Sequence, residues 1–178
     1  MKTPILLMAV LLVLLISGCD FDIFPDPEPP PPPVLPPITQ TGENTLGFLL
    51  DGEVWVPNRI FQAQYRKSDG RFGISCINDS YDEQGNKIGQ DFEIGARDVP
   101  IFSTGIYQIG NEGDISVRFF DYDKLCTYWS WEVLPGTLKI TVLDTINRVI
   151  SGIFELTTIS SSCNDTLRIT SGRFDVSF

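Results

Sequence analysis

Short runs in which apolar and polar residues alternate fill the chain from Thr41 to Phe178. Alternation with a period of two is typical of β-strands, because successive side chains of a strand point to opposite faces of the sheet. The first two runs, 46–50 and 53–56, flank Asp51-Gly52, a dipeptide that favours the type I′ turn of a tight hairpin. No window in this part repeats apolar residues at the spacing of a helix face over three turns. The pattern therefore predicts strands and no helix.

The alternating runs predict about ten strands, separated by clusters of Gly, Asp, Asn, Ser and Pro. A polar, turn-rich stretch at 78–87 predicts a long loop. The predicted strands are 46–50, 53–56, 60–66, 71–77, 88–97, 106–109, 114–120, 125–133, 138–143, 149–158 and 167–178. Many short strands with frequent turns predict one all-β domain, either a single antiparallel β-sandwich or a barrel-like sheet.

The N-terminus has a different pattern, that of a targeting segment. A single cation, Lys2, precedes the almost wholly apolar run 5–16, which ends in Ser17, Gly18 and then Cys19. The run is shorter than the roughly 20 apolar residues of a membrane-spanning helix, and its flanks are those of a secretory signal peptide. The residues Ile-Ser-Gly-Cys at 16–19 resemble a bacterial lipobox, which implies cleavage before Cys19 and attachment of acyl chains such as palmitate to it. The alternative is an ordinary signal peptide with a chance cysteine.

A proline-rich linker follows the predicted lipid attachment site. Nine of the 13 prolines lie in 20–40, five of them in the run 29–33. Such a segment favours extended polyproline II and predicts a spacer between membrane and domain; the alternative is a docking ligand for an aromatic groove. Acidic residues soon after Cys19 resemble the export signals of surface lipoproteins in some Gram-negative bacteria. The predicted organisation is a signal peptide at 1–18, the lipidated cysteine and disordered linker at 19–40, and an all-β domain at 41–178.

The chain is acidic, with 13 Lys and Arg against 23 Asp and Glu and a formal charge of −10. Removal of 1–18 takes away Lys2 alone among the charged residues, which changes the charge from −10 to −11. An acidic protein has no electrostatic reason to bind nucleic acid. Histidine is absent, which excludes Ser-His-Asp and Cys-His catalysis and histidine-based zinc sites. We expect no metal and no cofactor.

Three cysteines remain besides Cys19, and an exported chain meets oxidising conditions. One disulfide is expected, with one thiol left over. Pairing of Cys126 with Cys163 is favoured because Cys163 lies in a polar turn, whereas Cys76 lies in an apolar strand pattern and is expected to be buried. The other pairings remain open at this point.

The most informative candidate site is an aromatic group at Tyr128, Trp129 and Trp131, which we predict as possible ligand-stacking residues. In a strand, Trp129 and Trp131 share one face and Tyr128 takes the other, so one of the two faces belongs to the core. The acids of Asp121-Tyr122-Asp123 and of 79–83 lack the spacing of a calcium loop and are interpreted as solvated loop residues. No catalytic residue is predicted.

Four phrases at the two ends of the domain resemble an uncharacterised family of Bacteroidota-type lipoproteins that have a single all-β domain. They are Thr-Gly-Glu-Asn-Thr-Leu-Gly-Phe at 41–48, Asp-Gly-Glu-Val-Trp-Val-Pro at 51–57, Ser-Gly-Ile-Phe-Glu at 151–155, and Ile-Thr-Ser-Gly-Arg-Phe-Asp-Val at 169–176. The resemblance implies a surface or periplasmic lipoprotein with no established activity, and it assigns no binding or catalytic residue. The same phrases also have a structural interpretation, in which Arg173 and Asp175 pair with each other or bond neighbouring strands.

Together these features predict an envelope lipoprotein that is lipid-anchored, at the outer membrane, on its periplasmic or its surface face. The folded domain is expected to be a non-enzymatic binding or structural module for a glycan or protein ligand. The alternatives are a carboxylate-based glycan-processing enzyme, which needs two opposed acids about 5 to 9.5 Å apart in a cleft, and a carbohydrate-binding surface protein. The sequence leaves the oligomeric state open.

Overall fold

The structure, a computed structural model, describes residues 31–96, 99–110, 115–129 and 133–178. Within these ranges the chain forms eleven strands and no helix, which confirms the prediction of an all-β domain. The strands are β1 (Thr45–Leu50), β2 (Glu53–Trp55), β3 (Arg59–Arg66), β4 (Arg71–Tyr81), β5 (Lys87–Ala96), β6 (Gly105–Ile109), β7 (Ser116–Asp121), β8 (Cys126–Trp129), β9 (Val133–Asp144), β10 (Val149–Ser160) and β11 (Asp165–Ser177).

The strands make two separate antiparallel sheets, so of the two predicted architectures the sandwich is the one that forms. The six-stranded sheet has the order β2-β1-β11-β10-β9-β6, and the five-stranded sheet has the order β3-β4-β5-β7-β8. Residues 33–178 belong to one compact unit. In the part of the chain that the structure describes, no helix is long and apolar enough to cross a membrane.

Most hairpins follow the sequence pattern, but the predicted strand 125–133 is wrong at its end, because Val133 belongs to β9, which runs on through Pro135 and Gly136 and pairs with β10. Asp51 and Gly52 both have positive φ, 50° and 96°, as a type I′ turn requires. The β4–β5 hairpin is longer than predicted, because pairing continues from Asn78 opposite Gln90 to Tyr81 opposite Lys87. The predicted loop at 78–87 is therefore wrong over 78–81 and at 87, where cross-strand contacts between polar side chains replace the apolar signal of a strand.

Aromatic rings from both sheets fill the space between them. Phe48 stacks on Trp55, with centroids 4.5 Å apart, and also lies 4.9 Å from the ring of Phe92 in the opposite sheet. Phe92 in turn stacks on Phe154, at 5.6 Å. Each buried ring removes a large apolar area from water and adds directional aromatic contacts. These contacts fix how one sheet lies on the other.

Two glycines of the central strands β10 and β11 make room for this packing. Gly152 lies opposite Phe174, and Phe154 lies opposite Gly172. A Cβ atom at Gly172 would lie 2.6 Å from the ring of Phe154, and one at Gly152 would lie 2.8 Å from the ring of Phe174. Each phenylalanine thus covers the glycine of the neighbouring strand, which explains why the phrases at 151–155 and 169–176 contain both residue types.

The two sheets are joined covalently at one edge. A disulfide links Cys126 in β8 of the five-stranded sheet to Cys163 in the turn between β10 and β11 of the six-stranded sheet, with 6.0 Å between the Cα atoms. This is the pairing that the sequence favoured. Cys76 is a free, buried thiol in β4, and burial raises the pKa of that thiol well above its usual range. It packs as a small hydrophobic residue.

Candidate functional site

The outer face of the five-stranded sheet carries charged and aromatic side chains in regular rows. Phe92 and Ile94 of β5 point into the core, so the alternating Asp91 and Glu93 point outward. We call nine of the side chains on this face the outer patch; they are Arg59, Asp79, Lys87, Asp91, Glu93, Arg118, Phe120, Tyr122 and Trp129.

One row of the outer patch runs across three strands. Glu93 lies opposite Arg118, and Arg118 lies opposite Trp129. The guanidinium of Arg118 donates to both carboxylate oxygens of Glu93, from Nε at 3.2 Å and from a terminal nitrogen at 3.0 Å. Its central carbon lies 5.9 Å from the ring centroid of Trp129. The hydrogen bond to Glu93 raises the pKa of Arg118, and the paired fork holds the planar group in one orientation beside the indole.

A second group of the outer patch is built around the ammonium of Lys87. Its Nζ lies 3.3 Å from an oxygen of Asp79, 3.5 Å from an oxygen of Asp91 and 2.9 Å from the hydroxyl of Tyr122. Tyr122 donates to the other oxygen of Asp91 at 2.6 Å, and the ammonium lies 4.1 Å from the centroid of its ring. Burial lowers the pKa of Lys87, but the hydrogen bonds and the nearby Asp91 outweigh this, and the net effect is a raised pKa.

These contacts bear on the glycan-hydrolase alternative. Asp79 and Asp91 are close neighbours, but the ammonium of Lys87 lies between them and contacts both. Retaining and inverting glycosidases need one protonated and one ionised carboxyl group facing the scissile bond. Because the ammonium of Lys87 occupies the space between these two carboxylates, they do not flank an open position where a scissile bond could lie. The outer patch therefore offers fixed hydrogen-bond donors and acceptors, and its carboxylates are poor candidates for general acid and base.

A shallow groove of about 470 Å³ lies beside the connection from β2 to β3 and shares Arg59 with the outer patch. The described residues that line it are mostly apolar or amide-bearing and include no carboxylate; they are Val34, Pro36, Asn44, Thr45, Leu46, Val56, Pro57, Asn58, Arg59 and Ile60.

The structure separates the aromatic residues that the sequence grouped. Tyr128 is 1% exposed; its ring packs edge-on against Phe119 and its hydroxyl donates to Asp165 at 2.7 Å. A buried ring has no face for a ligand, so the prediction is wrong for Tyr128. Trp129 is half-buried on the outer face, and Trp131 lies outside the described residues. Sequence reasoning missed the charged partners in β5 and β7, although the alternation at 87, 91 and 93 was a signal for an outward row.

A different cluster holds the start of the domain. We call residues 36–44 the strap, because they run along the last strand β11. The carboxylate of Asp175 accepts hydrogen bonds from the backbone N–H groups of Thr41 at 3.0 Å, Gly42 at 2.9 Å and Glu43 at 3.2 Å. Ser151 donates its hydroxyl to the same carboxylate at 2.6 Å. Burial raises the pKa of Asp175, but the hydrogen bonds from Ser151 and the strap outweigh it and lower the pKa to about 2.

The strap has further contacts with the two strands beneath it. Arg173 donates to the backbone oxygen of Pro36 at 3.3 Å, and a Cβ atom at Gly47 would lie 2.7 Å from the ring of Pro36. Ser177 donates its hydroxyl to the backbone oxygen of Gly42 at 3.0 Å, and its N–H to the side chain of Asn44 at 3.0 Å. The charged side chains of Arg173 and Asp175 therefore bind the strap, a third possibility beside the two given by the sequence.

The phrases that carry the family resemblance thus meet in space. Residues 41–44 of the strap belong to the first phrase, Ser151 to the third, and Arg173 and Asp175 to the last. Their polar residues are bonded to one another, and their glycines fit neighbouring rings. These phrases have a structural role in the fold.

The remaining candidate site residues either have local structural roles or lie outside the described residues. The carboxylate of Asp121 accepts the N–H groups of Asp123 and Lys124 at 2.9 and 3.0 Å, which forms a turn. Among the described residues, no group of three His, Cys, Asp or Glu side chains is placed to hold a metal ion. Cys19, the predicted lipidation site, lies outside the described residues.

No protein-family model, curated protein or solved structure matches this chain. The resemblance to Bacteroidota-type lipoproteins therefore stays a prediction that is based on the sequence alone.

Proposed function

We propose that this chain is a lipoprotein of the cell envelope, anchored at the outer membrane by acyl chains on Cys19, and that its β-sandwich is a non-enzymatic binding module. The proline-rich linker is the spacer that holds the module away from the lipid surface. The lipobox-like residues 16–19 and the single apolar run before them support the anchor.

The observation that best supports this proposal is the strap. A spacer that presents a domain needs a fixed attachment, because otherwise the domain pivots at the joint. The strap provides this attachment, since Asp175 takes three consecutive N–H groups just after the proline-rich segment. Arg173 and Gly47 hold Pro36, which is itself one of the linker prolines. The joint between the proposed spacer and the body is therefore a bonded segment of the sandwich.

Binding is favoured over catalysis by the state of the carboxylates on the outer patch. Asp79 and Asp91 share the ammonium of Lys87, and Glu93 is paired with Arg118. Groups that are held in mutual ion pairs are suited to fixed recognition of a partner.

Lipidation of the full chain tests the anchor. Cells that express the protein are grown with an alkyne analogue of palmitate, and the label and the membrane fraction are measured. The wild type is expected to be labelled and to sediment with membranes, and Cys19→Ala is expected to lose both properties. Cys76→Ala is the matched control and is expected to keep both. An unlabelled wild type, or a labelled Cys19→Ala variant, would contradict the proposal.

Protease treatment of intact cells then distinguishes the two faces of the outer membrane. Loss of the domain from intact cells places it at the surface, where glycans and neighbouring cells are its ligands. Survival on intact cells, followed by loss after lysis, places it in the periplasm, where an envelope component is the ligand.

A further inference from the structure

We propose that the outer patch is a binding site for a neutral glycan, with Trp129 as the stacking residue. This inference rests on the proposed function of the domain as a binding module and names the chemical class of its ligand. The argument uses the aromatic surface, the fixed polar groups and the charge balance of the outer patch.

The aromatic part of the site is positioned by the sheet. Trp129 is half-buried on the outer face, and the guanidinium of Arg118 lies 5.9 Å from its ring centroid. Phe120 and Tyr122 lie close by in the preceding strand and turn and pack edge-on against each other, with centroids 4.6 Å apart. The C–H groups on one face of a sugar ring pack against such a fixed apolar ring, and an immobile aromatic anchor loses little entropy when it binds.

The polar part of the site contains both the hydrogen-bond donors and the acceptors that sugar hydroxyls bind. Each hydroxyl is both a donor and an acceptor, and the outer patch presents the guanidinium of Arg118 beside the carboxylate of Glu93, 3.0 Å apart. Lys87, Asp91 and Tyr122 form a second group of donors and acceptors in the neighbouring rows. Because these groups are already bonded to one another, their orientations are set before a ligand arrives, which lowers the entropic cost of binding.

The charge of the outer patch selects a neutral ligand. Its three cationic side chains are Arg59, Lys87 and Arg118, and its three anionic side chains are Asp79, Asp91 and Glu93. A patch with equal numbers of both signs has no net attraction of its own for a polyanion or a polycation. The whole chain, at −10, further disfavours acidic polysaccharides.

Affinity electrophoresis of the full chain in detergent tests the inference. The gels contain soluble starch, dextran, galactomannan or mixed-linkage β-glucan as neutral probes, and polygalacturonate as the anionic probe. We expect at least one neutral probe to retard the wild type and polygalacturonate to have no effect. Trp129→Ala is expected to weaken that retardation by about tenfold or more, because truncation of an aromatic anchor removes a central contact.

Three variants make the result specific. Trp129→Phe keeps an aromatic ring and is expected to retain most of the retardation. Arg118→Lys keeps the charge but loses the fork, and is expected to weaken it. Phe102→Ala removes a ring that is 60% exposed outside the outer patch and is expected to behave like the wild type. Near-ultraviolet circular dichroism of each variant checks that the fold is intact.

Several outcomes would overturn the inference. The first is that no neutral probe retards the wild type, which would leave the face to a protein ligand. The second is that polygalacturonate retards the wild type more strongly than any neutral probe does. The third is that the wild type and Trp129→Ala are retarded equally. Palmitate labelling of the same preparations keeps the two proposals apart. A labelled wild type that no glycan retards refutes the glycan site alone, whereas an unlabelled protein refutes the lipoprotein.

Discussion

Asp175 shows how much a single side chain contributes when all of its bonding partners are supplied by the protein. Its carboxylate is 1% exposed and accepts three backbone N–H groups and one hydroxyl. Hydrogen bonds to a charged acceptor are stronger than those between neutral groups. Replacement of the carboxylate would leave several of these donors without an acceptor. The free-energy cost of an unsatisfied donor is larger than the average contribution of one hydrogen bond to stability.

We expect Asp175→Asn to lower the free energy of unfolding by about 2 to 4 kcal/mol, because the substituted amide turns N–H donors toward the N–H donors of the strap. Urea unfolding of the full chain in detergent, at pH 7, measures the change. Asp123→Asn is the matched control, since this exposed acid lies in a surface turn, and it is expected to change the stability by no more than about 0.5 kcal/mol. Equal stability of Asp175→Asn and the wild type would refute the role of the strap contacts.

The acid dependence of stability provides an independent check on Asp175. Its folded-state pKa of about 2 lies below the ordinary value of 3.8. A depressed pKa stabilises the fold above the unfolded value, and this stabilisation is lost as the pH falls through the folded value. The shift corresponds to ~2 kcal/mol that disappears between pH 4 and pH 2. Asp175→Asn is expected to flatten this part of the stability curve.

At the residue scale, the sequence predicted which side chains share a face of a strand better than it predicted their hydrogen-bond partners. Alternation correctly separated Tyr128 from Trp129, although it left open which of the two belonged to the core. It gave no indication that Asp175 binds Thr41, because 134 residues separate them. Bonds between distant backbone groups and a carboxylate have no periodic signal in the chain.

At the scale of elements, the packing of β10 against β11 depends on two phenylalanine rings, each of which covers a glycine of the neighbouring strand. Gly172→Ala is expected to destabilise the protein by about 1 to 3 kcal/mol, because the added methyl group meets the ring of Phe154 at the core. The free energy of unfolding in urea measures this change. The clash is with a packed ring at 2.6 Å, so relief requires movement of the core.

Gly73→Ala is the matched control for this prediction, because Gly73 is also a strand glycine. Its added Cβ would lie 3.4 Å from the end of the flexible side chain of Gln64. We expect this variant to be neutral or slightly more stable, since alanine also reduces the freedom of the unfolded chain. A Gly172→Ala variant that is as stable as Gly73→Ala would contradict the ring-over-glycine packing.

The elements themselves were largely predictable, since each has a local signature. Alternation located the strands, and Asp51-Gly52 located a hairpin. The exception is the end of β4, where Asp79 and Tyr81 continue a strand without apolar alternation. Pairing with β5 decides that structure, and pairing is a property of two segments that no single window contains.

At the scale of the whole molecule, the contact between the sheets combines a core of rings with one covalent link. Reduction of the disulfide between Cys126 and Cys163 is expected to lower the free energy of unfolding by about 4 kcal/mol, because it frees a loop with a sequence separation of 37. Urea unfolding with and without dithiothreitol measures the effect. The double variant Cys126→Ala, Cys163→Ala is the control and is expected to be insensitive to the reductant. An unchanged wild type would show that the bond adds no stability.

The arrangement of strands into sheets was beyond the sequence pattern. Alternation predicts that a sandwich or a related sheet forms, but it does not say that β1 pairs with β11 or that β6 pairs with β9. Those neighbours are set by tertiary packing, above all by the contacts of Phe48, Phe92 and Phe154 across the sheets. The outer patch follows from the same topology, which is why the sequence predicted Trp129 but not Arg118 and Glu93 beside it.

The separation of Thr41 from Asp175 also sets an order of events during biogenesis. An exported chain crosses the membrane N-terminus first, so the strap amides reach the far side long before the carboxylate that they bind. Contacts of such long sequence separation form late in folding, because the intervening chain must first be organised. In the proposed lipoprotein, anchoring at the membrane and attachment of the strap to the body would therefore be two separate steps of maturation. A proposed lipoprotein whose β11 has not yet docked would be tethered to the membrane but not yet fixed to its spacer.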